Sequence, residues 1–404
     1  MFLKKTLCVA ALTLAAFNAY AGVGPLSIKD GLFMKDGKPF YGVGVNYFDG
    51  FARNAKTGDS SYKKGLQVLA KNKIPFIRIS ALPFWPNDLN TVLNDPRLYH
   101  ERLDAFLNEA EANHIGVIVD VFWNWTAIAD VVGEKIPMTG VPGSKTLEKM
   151  KAITLDIVKQ HQNHKAVWAW EFANEASSFM DLTEALGYTT ATKNNNGNYL
   201  PSNLGAGAPA RTAADDFTPQ TIQVAVKTFA ETVRTLDKTT PILSGNNVPR
   251  ENAYHMRHAE KKNVFALDSR EEFGKILEEN DPAPVDTYSL HLYPNSEGKY
   301  FDKQPEHSTI AEIISAAMDR SKLVGSKRPF FLGEFGADGL SLGAAGAQEK
   351  FNTFKKEILR QRVQMSALWV YDFSYQNADY NVTETLRAYQ LEELKQMNIE
   401  MSTW

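Results

Sequence analysis

Trp170-Glu171-Phe172-Ala173-Asn174-Glu175 and Phe331-Leu332-Gly333-Glu334-Phe335-Gly336 lie far apart in the chain, and each carries an apolar, strand-like run into a carboxylate. Around them, short β-rich runs alternate with helical patterns from about Phe40 to the C-terminus. Strands are expected near Phe40–Val45, Ile74–Ser80, Ile115–Val121, Val167–Phe172, Pro241–Ser244, Asp286–Leu290, Pro329–Gly333 and Met365–Val370. Several of these are nearly continuous apolar runs, as parallel strands buried on both faces require. Between them, Leu98, Leu103, Phe106, Leu107 and Ala110 repeat at helical spacing, as do Ile222, Val226, Phe229, Val233 and Leu236. Eight strands with intervening helices predict an α/β fold, a (β/α)8 TIM barrel. The competing architecture is an open doubly wound sheet. It would place a Gly-x-Gly-x-x-Gly turn after the first strand, and none is present.

The chain has 404 residues, 44% of them hydrophobic and 11% aromatic, enough for one large barrel with insertions. Lys4 and Lys5, the apolar run Leu7–Phe17 and the small-x-small triplet Ala19-Tyr20-Ala21 have the layout of a secretory signal peptide, with cleavage expected after Ala21. The expected organisation is therefore a signal over residues 1–21 and a single catalytic barrel over 22–404. A secreted or periplasmic location follows. The lone cysteine, Cys8, falls within the signal, so disulfide and thiol chemistry are not expected of the mature chain. Removing Lys4 and Lys5 takes the formal charge from −3 to −5. That mildly acidic balance argues against nucleic acid or an anionic membrane as partner and suits a neutral substrate. A monomer is expected.

In a barrel of this kind, chemistry is carried where strands end, at the rim built by the βα loops. Glu175 and Glu334 follow the fourth and seventh expected strands. Two carboxyls delivered there can flank a glycosidic bond, one giving a proton and the other attacking the sugar carbon. Asn174 can bind a sugar hydroxyl, although an Asx turn or helix cap would use the same residue. Arg78 ends the second strand and would hold a neighbouring carboxylate ionised. His291 and Tyr293, two residues apart after the sixth strand, share a face. Trp85, Trp123, Trp125 and Trp369 fall near the ends of the second, third and eighth strands, where flat rings suit the apolar faces of pyranoses. Trp168 and Trp170 precede the motif within a strand and are expected in the barrel wall. No cofactor or metal cluster is expected: His161 and His164 read as a polar helical surface, and His255 and His258 could pair only at helical spacing. Lys193–Ala214, rich in Asn, Gly, Ala and Pro, reads equally as a disordered surface loop or a long loop over the catalytic face.

With these residues in hand, the chain resembles glycoside hydrolase family 5, the cellulase and mannanase family. Asn174-Glu175 is similar to its acid/base motif, and Glu334 in Gly-Glu-Phe-Gly to its nucleophile. Arg78, His291 and Tyr293 match positions that orient the two carboxyls, and Trp369 matches the aromatic platform under the reacting sugar. The resemblance implies a cofactor-free retaining mechanism on a β-linked polysaccharide or oligosaccharide of the β-1,4-mannan or β-glucan class. Many members carry a histidine at the end of the third strand, and Asp120-Val121-Phe122-Trp123-Asn124-Trp125 has none. Its Asn124-Trp125 is similar to the Asn-Trp of some mannan-cleaving branches. Three alternatives stay open: a catalytically idle carbohydrate-binding barrel, a transglycosylase on the same scaffold and a metal-dependent barrel hydrolase.

Overall fold

A computed structural model describes residues 24–181, 202–258, 264–302, 304, 307–323 and 326–404. The signal-peptide reading and part of the Lys193–Ala214 stretch lie outside them. The chain enters through a small antiparallel sheet, β1 (Leu26–Lys29), β2 (Leu32–Lys35) and β3 (Lys38–Pro39), which the sequence reading did not anticipate. Asp30-Gly31 and Asp36-Gly37 connect its strands, with φ of 52°, 76°, 51° and 76°. Two consecutive positive φ values match the strands' right-handed twist, and Asp-Gly supplies them at low cost.

Eight parallel strands follow: β4 (Gly42–Asn46), β5 (Phe76–Ser80), β6 (Gly116–Asp120), β7 (Val167–Glu171), β8 (Ile242–Leu243), β9 (Tyr288–Leu292), β10 (Phe330–Phe335) and β11 (Met365–Leu368). Their order, β8-β7-β6-β5-β4-β11-β10-β9, returns the last strands to the first. At the seam the Asp286 N–H donates to the Ile242 carbonyl at 3.0 Å, so the barrel is nearly closed. Every strand residue of the barrel is buried, which explains why the runs read as continuously apolar. Helices 96–112, 145–161 and 219–236 start where Asp95, Ser144 and Thr218 cap them, and Pro96 and Pro219 occupy first-turn positions. Among the described residues no helix is long and apolar enough to cross a membrane.

The small sheet covers the N-terminal end of the barrel. Phe33 is fully buried there, and its backbone exchanges two bonds with the Gln364 side chain, at 3.0 and 3.1 Å. Asn398, on the last helix (388–401), likewise clasps the Val43 backbone at 2.7 and 2.9 Å, where β4 has no neighbouring strand partner in its ladder with β5. Trp168 and Trp170 are buried in the wall, as expected. His161 departs from its reading as a surface group: it is 1% exposed, with His100 3.0 Å from Nε2 and Asp104 2.9 Å from Nδ1.

Trp168 lies directly over Gly116, where an added Cβ would come within 2.0 Å of the indole ring. Gly116→Ala is therefore expected to lower unfolding free energy by about 1–3 kcal/mol in denaturant titrations, the usual cost of overpacking a dense core.

Candidate active site

The rim at the strands' C-terminal ends is organised by one side chain. Arg78 is fully buried, and all five of its N–H bonds find acceptors. Nε donates to Glu171 at 2.5 Å; Nη1 donates to Asn46 and Glu334, both at 2.9 Å; Nη2 donates to Asp120 at 3.1 Å and Asn174 at 3.0 Å. Trp123 lies against the guanidinium, 4.2 Å from ring centroid to Cζ. Asn174 is thus committed through its carbonyl oxygen to Arg78 rather than to a helix cap.

Glu334, on β10, accepts from Arg78 through one oxygen and from the Tyr293 hydroxyl through the other, at 2.5 Å. Burial pushes its carboxyl up from the ordinary range, and the Glu175 charge adds to this, while Arg78 and the Tyr293 hydroxyl pull it back. Burial also holds the Tyr293 phenol protonated as a donor.

Glu175 lies beyond the end of β7 with φ 49°, ψ 33°, in the left-handed region, and its N–H donates to the Gly245 carbonyl at 2.8 Å. Gly245 is itself at φ +71°, where a Cβ would meet the Ala173 carbonyl at 2.0 Å, so only glycine fits. The Glu175 side chain is 27% exposed and its carboxyl is pushed up to about 7, chiefly by burial, with Arg78 and Ser178 opposing. His291 Nδ1 lies 3.1 Å from Glu175 and 3.5 Å from Glu334. Burial brings its pKa down to about 4, so the ring bridges both carboxyls while neutral.

One donor atom from each of Glu175, His291 and Glu334 lies within 4.8 Å of the others. A cation could be imagined among them, but the positive charge is already supplied by Arg78, in contact with Glu334. His255, Asp268 and Glu272 also converge. There Asp268 accepts from the Tyr254 N–H and His255, and Glu272 closes a capping box with Ser269. A cleft of about 1100 Å³ opens at the opposite, N-terminal end of the barrel, lined by Lys35, Phe40, Tyr41, Trp168 and Trp404. Among the described residues Asp36 is the one acidic side chain in its lining, so paired-carboxyl chemistry locates the candidate site at the rim instead.

The aromatic residues divide. Trp369 and Trp85 are half-buried and present ring surface at the rim. Trp123, 5% exposed, stacks on Trp369 at 5.9 Å and serves mainly to support Arg78. Trp125 corrects the expectation of a sugar contact: it is 2% exposed and packs edge-on to Phe217 at 5.3 Å, as a core residue. Residues 202–214, the described end of the Lys193–Ala214 stretch, pack on the rim side. Asn87 donates to the Gly205 carbonyl, and Arg211 makes two bonds to Asp130 at 2.7 and 3.0 Å.

A model of the family described as "Cellulase (glycosyl hydrolase family 5)" matches residues 34–372. The chain belongs to glycosyl hydrolase family 5. No curated protein sequence matches it. Among solved structures, the endo-1,4-β-mannanase of Rhizomucor miehei aligns with TM-score 0.64 and 15% identity, over 94% of this chain and all of that one. The endo-1,4-β-D-mannanase of Thermotoga petrophila gives 0.59 and 13%, over 90% and 100%. The catalytic domain of a Thermobifida fusca endoglucanase gives 0.53 and 15%, over 94% and 98%. At these identities the likeness is one of fold, and it agrees with the barrel described above.

Asp120 and Glu171 were not singled out in the sequence, yet they complete this family 5 site. Both are fully buried and face each other across the β6–β7 ladder. Burial, then the Glu171 charge, pushes the Asp120 carboxyl well above the ordinary range. Among the described residues Asp120 Oδ1 and Glu171 Oε2 have no other partner, so a proton on Asp120 donated to Glu171 satisfies both. Asn at position 120 reproduces that donor and the acceptor for Arg78. Asp120→Asn should cost under about 1 kcal/mol of unfolding free energy and Asp120→Ala about 1–3 kcal/mol. Equal losses in the two would show that Asp120 is ionised.

Proposed function

We propose that this barrel is a retaining β-glycoside hydrolase that cleaves β-1,4-linked glycans of the mannan or glucan class. The observation that carries the proposal is the approach of one oxygen from each of Glu175 and Glu334 to within 4.8 Å. Retaining sites hold their carboxyls about 5–5.5 Å apart, and inverting sites about 6.5–9.5 Å to admit a water.

Glu334 is held ionised by Arg78 and Tyr293 and attacks the anomeric carbon, forming a glycosyl-enzyme ester. Glu175 gives its proton to the departing glycosidic oxygen. A water then adds to the anomeric carbon from the side the leaving group vacated, Glu175 takes its proton, and the ester bond to Glu334 breaks. Asn174, whose amide N–H group has no protein partner among the described residues, is placed to donate to the sugar 2-hydroxyl, a contact that strengthens in the transition state. The solved mannanases and endoglucanase that share the fold support both substrate classes. The proposal takes the protein as exported and monomeric.

Reducing-sugar release from mannans, β-glucans, mixed-linkage glucan and xylan is expected of the native protein and not of Glu334→Gln. Glycan binding by Glu334→Gln without any native turnover would instead favour an idle binding barrel. Glu175→Gln should lose about 10²–10⁴-fold in kcat/KM on unactivated glycans; on aryl glycosides, whose phenolate leaves unprotonated, kcat/KM should be spared while kcat falls because the second step still lacks its base. Because Glu175 must carry its proton, kcat/KM should fall as pH rises through about 7. The acid limb, where Glu334 gains a proton, should lie above the ordinary carboxylate range. A profile unchanged on the alkaline side in Glu175→Gln would remove Glu175 from the acid role.

A further inference from the structure

The loop that follows β8 supports Glu175 twice, and the chemistry above uses neither contact. Gly245 in that loop accepts the Glu175 N–H at 2.8 Å. Two residues on, the Asn247 side-chain amide donates to Ser178 Oγ at 2.9 Å, and Ser178 Oγ in turn lies 3.5 Å from Glu175 Oε2. Asn247 Oδ1 accepts the Val248 N–H at 2.8 Å, which orients the amide so that its nitrogen, not its oxygen, meets the serine. The Asn247 N–H also donates to Ser177 Oγ at 2.9 Å, and Arg250 donates to the Ser178 and Met180 carbonyls at 2.7 and 3.0 Å. The short helical turn Ala176–Phe179 is thus clasped to the loop after β8, with Ser178 facing the acid. A hydroxyl oxygen that already accepts from an amide directs its own proton elsewhere, and the Glu175 carboxyl lies within its reach.

We infer that Asn247 and Ser178 are positioning residues for the acid/base step, holding a hydroxyl donor ready for the Glu175 carboxylate that remains once its proton has gone to the departing oxygen. This deepens the proposed function and rests on it for the role of Glu175. At 3.5 Å the bond is weak in the resting state, where Glu175 carries its proton, and bonds to reacting groups commonly tighten as charge develops. A donor that strengthens as the carboxylate forms lowers the barrier to proton delivery without anchoring the protonated acid. It acts on Glu175 in the same direction as Arg78, against the effect of burial. The other titratable groups that face Glu175 are Arg78 of β5, His291 of β9 with Tyr293 just beyond it, Glu334 of β10 and Tyr380 in the loop after β11. Arg78 is already committed to Glu171, Glu334 and Asp120, and His291 is neutral and shared with Glu334. The Ser178 hydroxyl therefore meets the new charge on the Oε2 side.

The test is the titration of Glu175 itself, followed by carboxyl-carbon NMR of protein labelled in glutamate, with the Glu175 signal identified by its loss in Glu175→Gln. Ser178→Ala should raise the midpoint by about 0.5–1 pH unit, the equivalent of one ordinary hydrogen bond. The alkaline limb of kcat/KM on unactivated glycans should move up by the same amount. Ser178→Thr, which keeps the hydroxyl, should restore both, and Asn247→Ala should give a smaller upward shift. An unchanged midpoint in Ser178→Ala, an equal shift in Ser178→Thr, or no shift in Asn247→Ala overturns the inference. The titration needs no turnover, so the two readings fail separately. A raised midpoint in Ser178→Ala beside a native protein that hydrolyses no glycan overturns the glycosidase reading and leaves the Ser178–Glu175 pairing standing. An unmoved midpoint beside normal glycan hydrolysis overturns the pairing alone.

Discussion

One guanidinium among three carboxylates is the constraint around which the rim is built. Arg78 cannot lose its proton, and it is fully removed from solvent, so each of its five donors needs an acceptor in fixed geometry. Those acceptors come from β4, β6, β7, β10 and the turn after β7. Five segments are thereby held in register by a single planar group. One positive charge does not neutralise Asp120, Glu171 and Glu334 together, and a proton kept on Asp120 relieves the excess. A buried ion pair of this kind is poor evidence for added stability, since desolvation offsets much of its attraction. Its contribution here is position: Glu334 is oriented by a group that cannot rotate away.

Glu175 and Glu334 differ by how they are held more than by how deeply they lie. Glu334 accepts two strong bonds from groups that favour its charge. Glu175 has Ser178 Oγ at 3.5 Å and a neutral histidine. The same desolvation therefore leaves the first serviceable as an anion and the second as an acid. His291 is important because it remains uncharged; a protonated ring would pull both carboxyls down together. Gly333 keeps that ring in place, since a Cβ there would come within 2.7 Å of its Nε2.

The barrel strands were legible because strands buried on both faces must be apolar throughout, and the two Glu-bearing motifs stood out against that background. The polar residues inside the runs carried as much information. Arg78 in Phe-Ile-Arg-Ile-Ser, Asp120 closing Gly-Val-Ile-Val-Asp and Glu171 closing Val-Trp-Ala-Trp-Glu are each too costly to bury singly. Read as a set, they predict one another. The N-terminal sheet was overlooked although Asp30-Gly31 and Asp36-Gly37 spell out two tight hairpins. Trp125 was misplaced because β6 ends at Asp120, so alternation along a strand no longer tells which way the later rings face.

The two chain-end clasps bear on the order in which this protein acquires its structure. Gln364 holds Phe33, and Asn398 holds Val43, across separations of 331 and 355 residues. β4 has its longer ladder with β11, the last strand, and a shorter one with β5. During synthesis the first barrel strand therefore waits, one edge exposed, until nearly the whole polypeptide has emerged. Such long-range closure favours slow, late cooperative assembly over a stepwise build from the N-terminus. Until then the nascent chain offers an unpaired strand edge that a holding chaperone could cover.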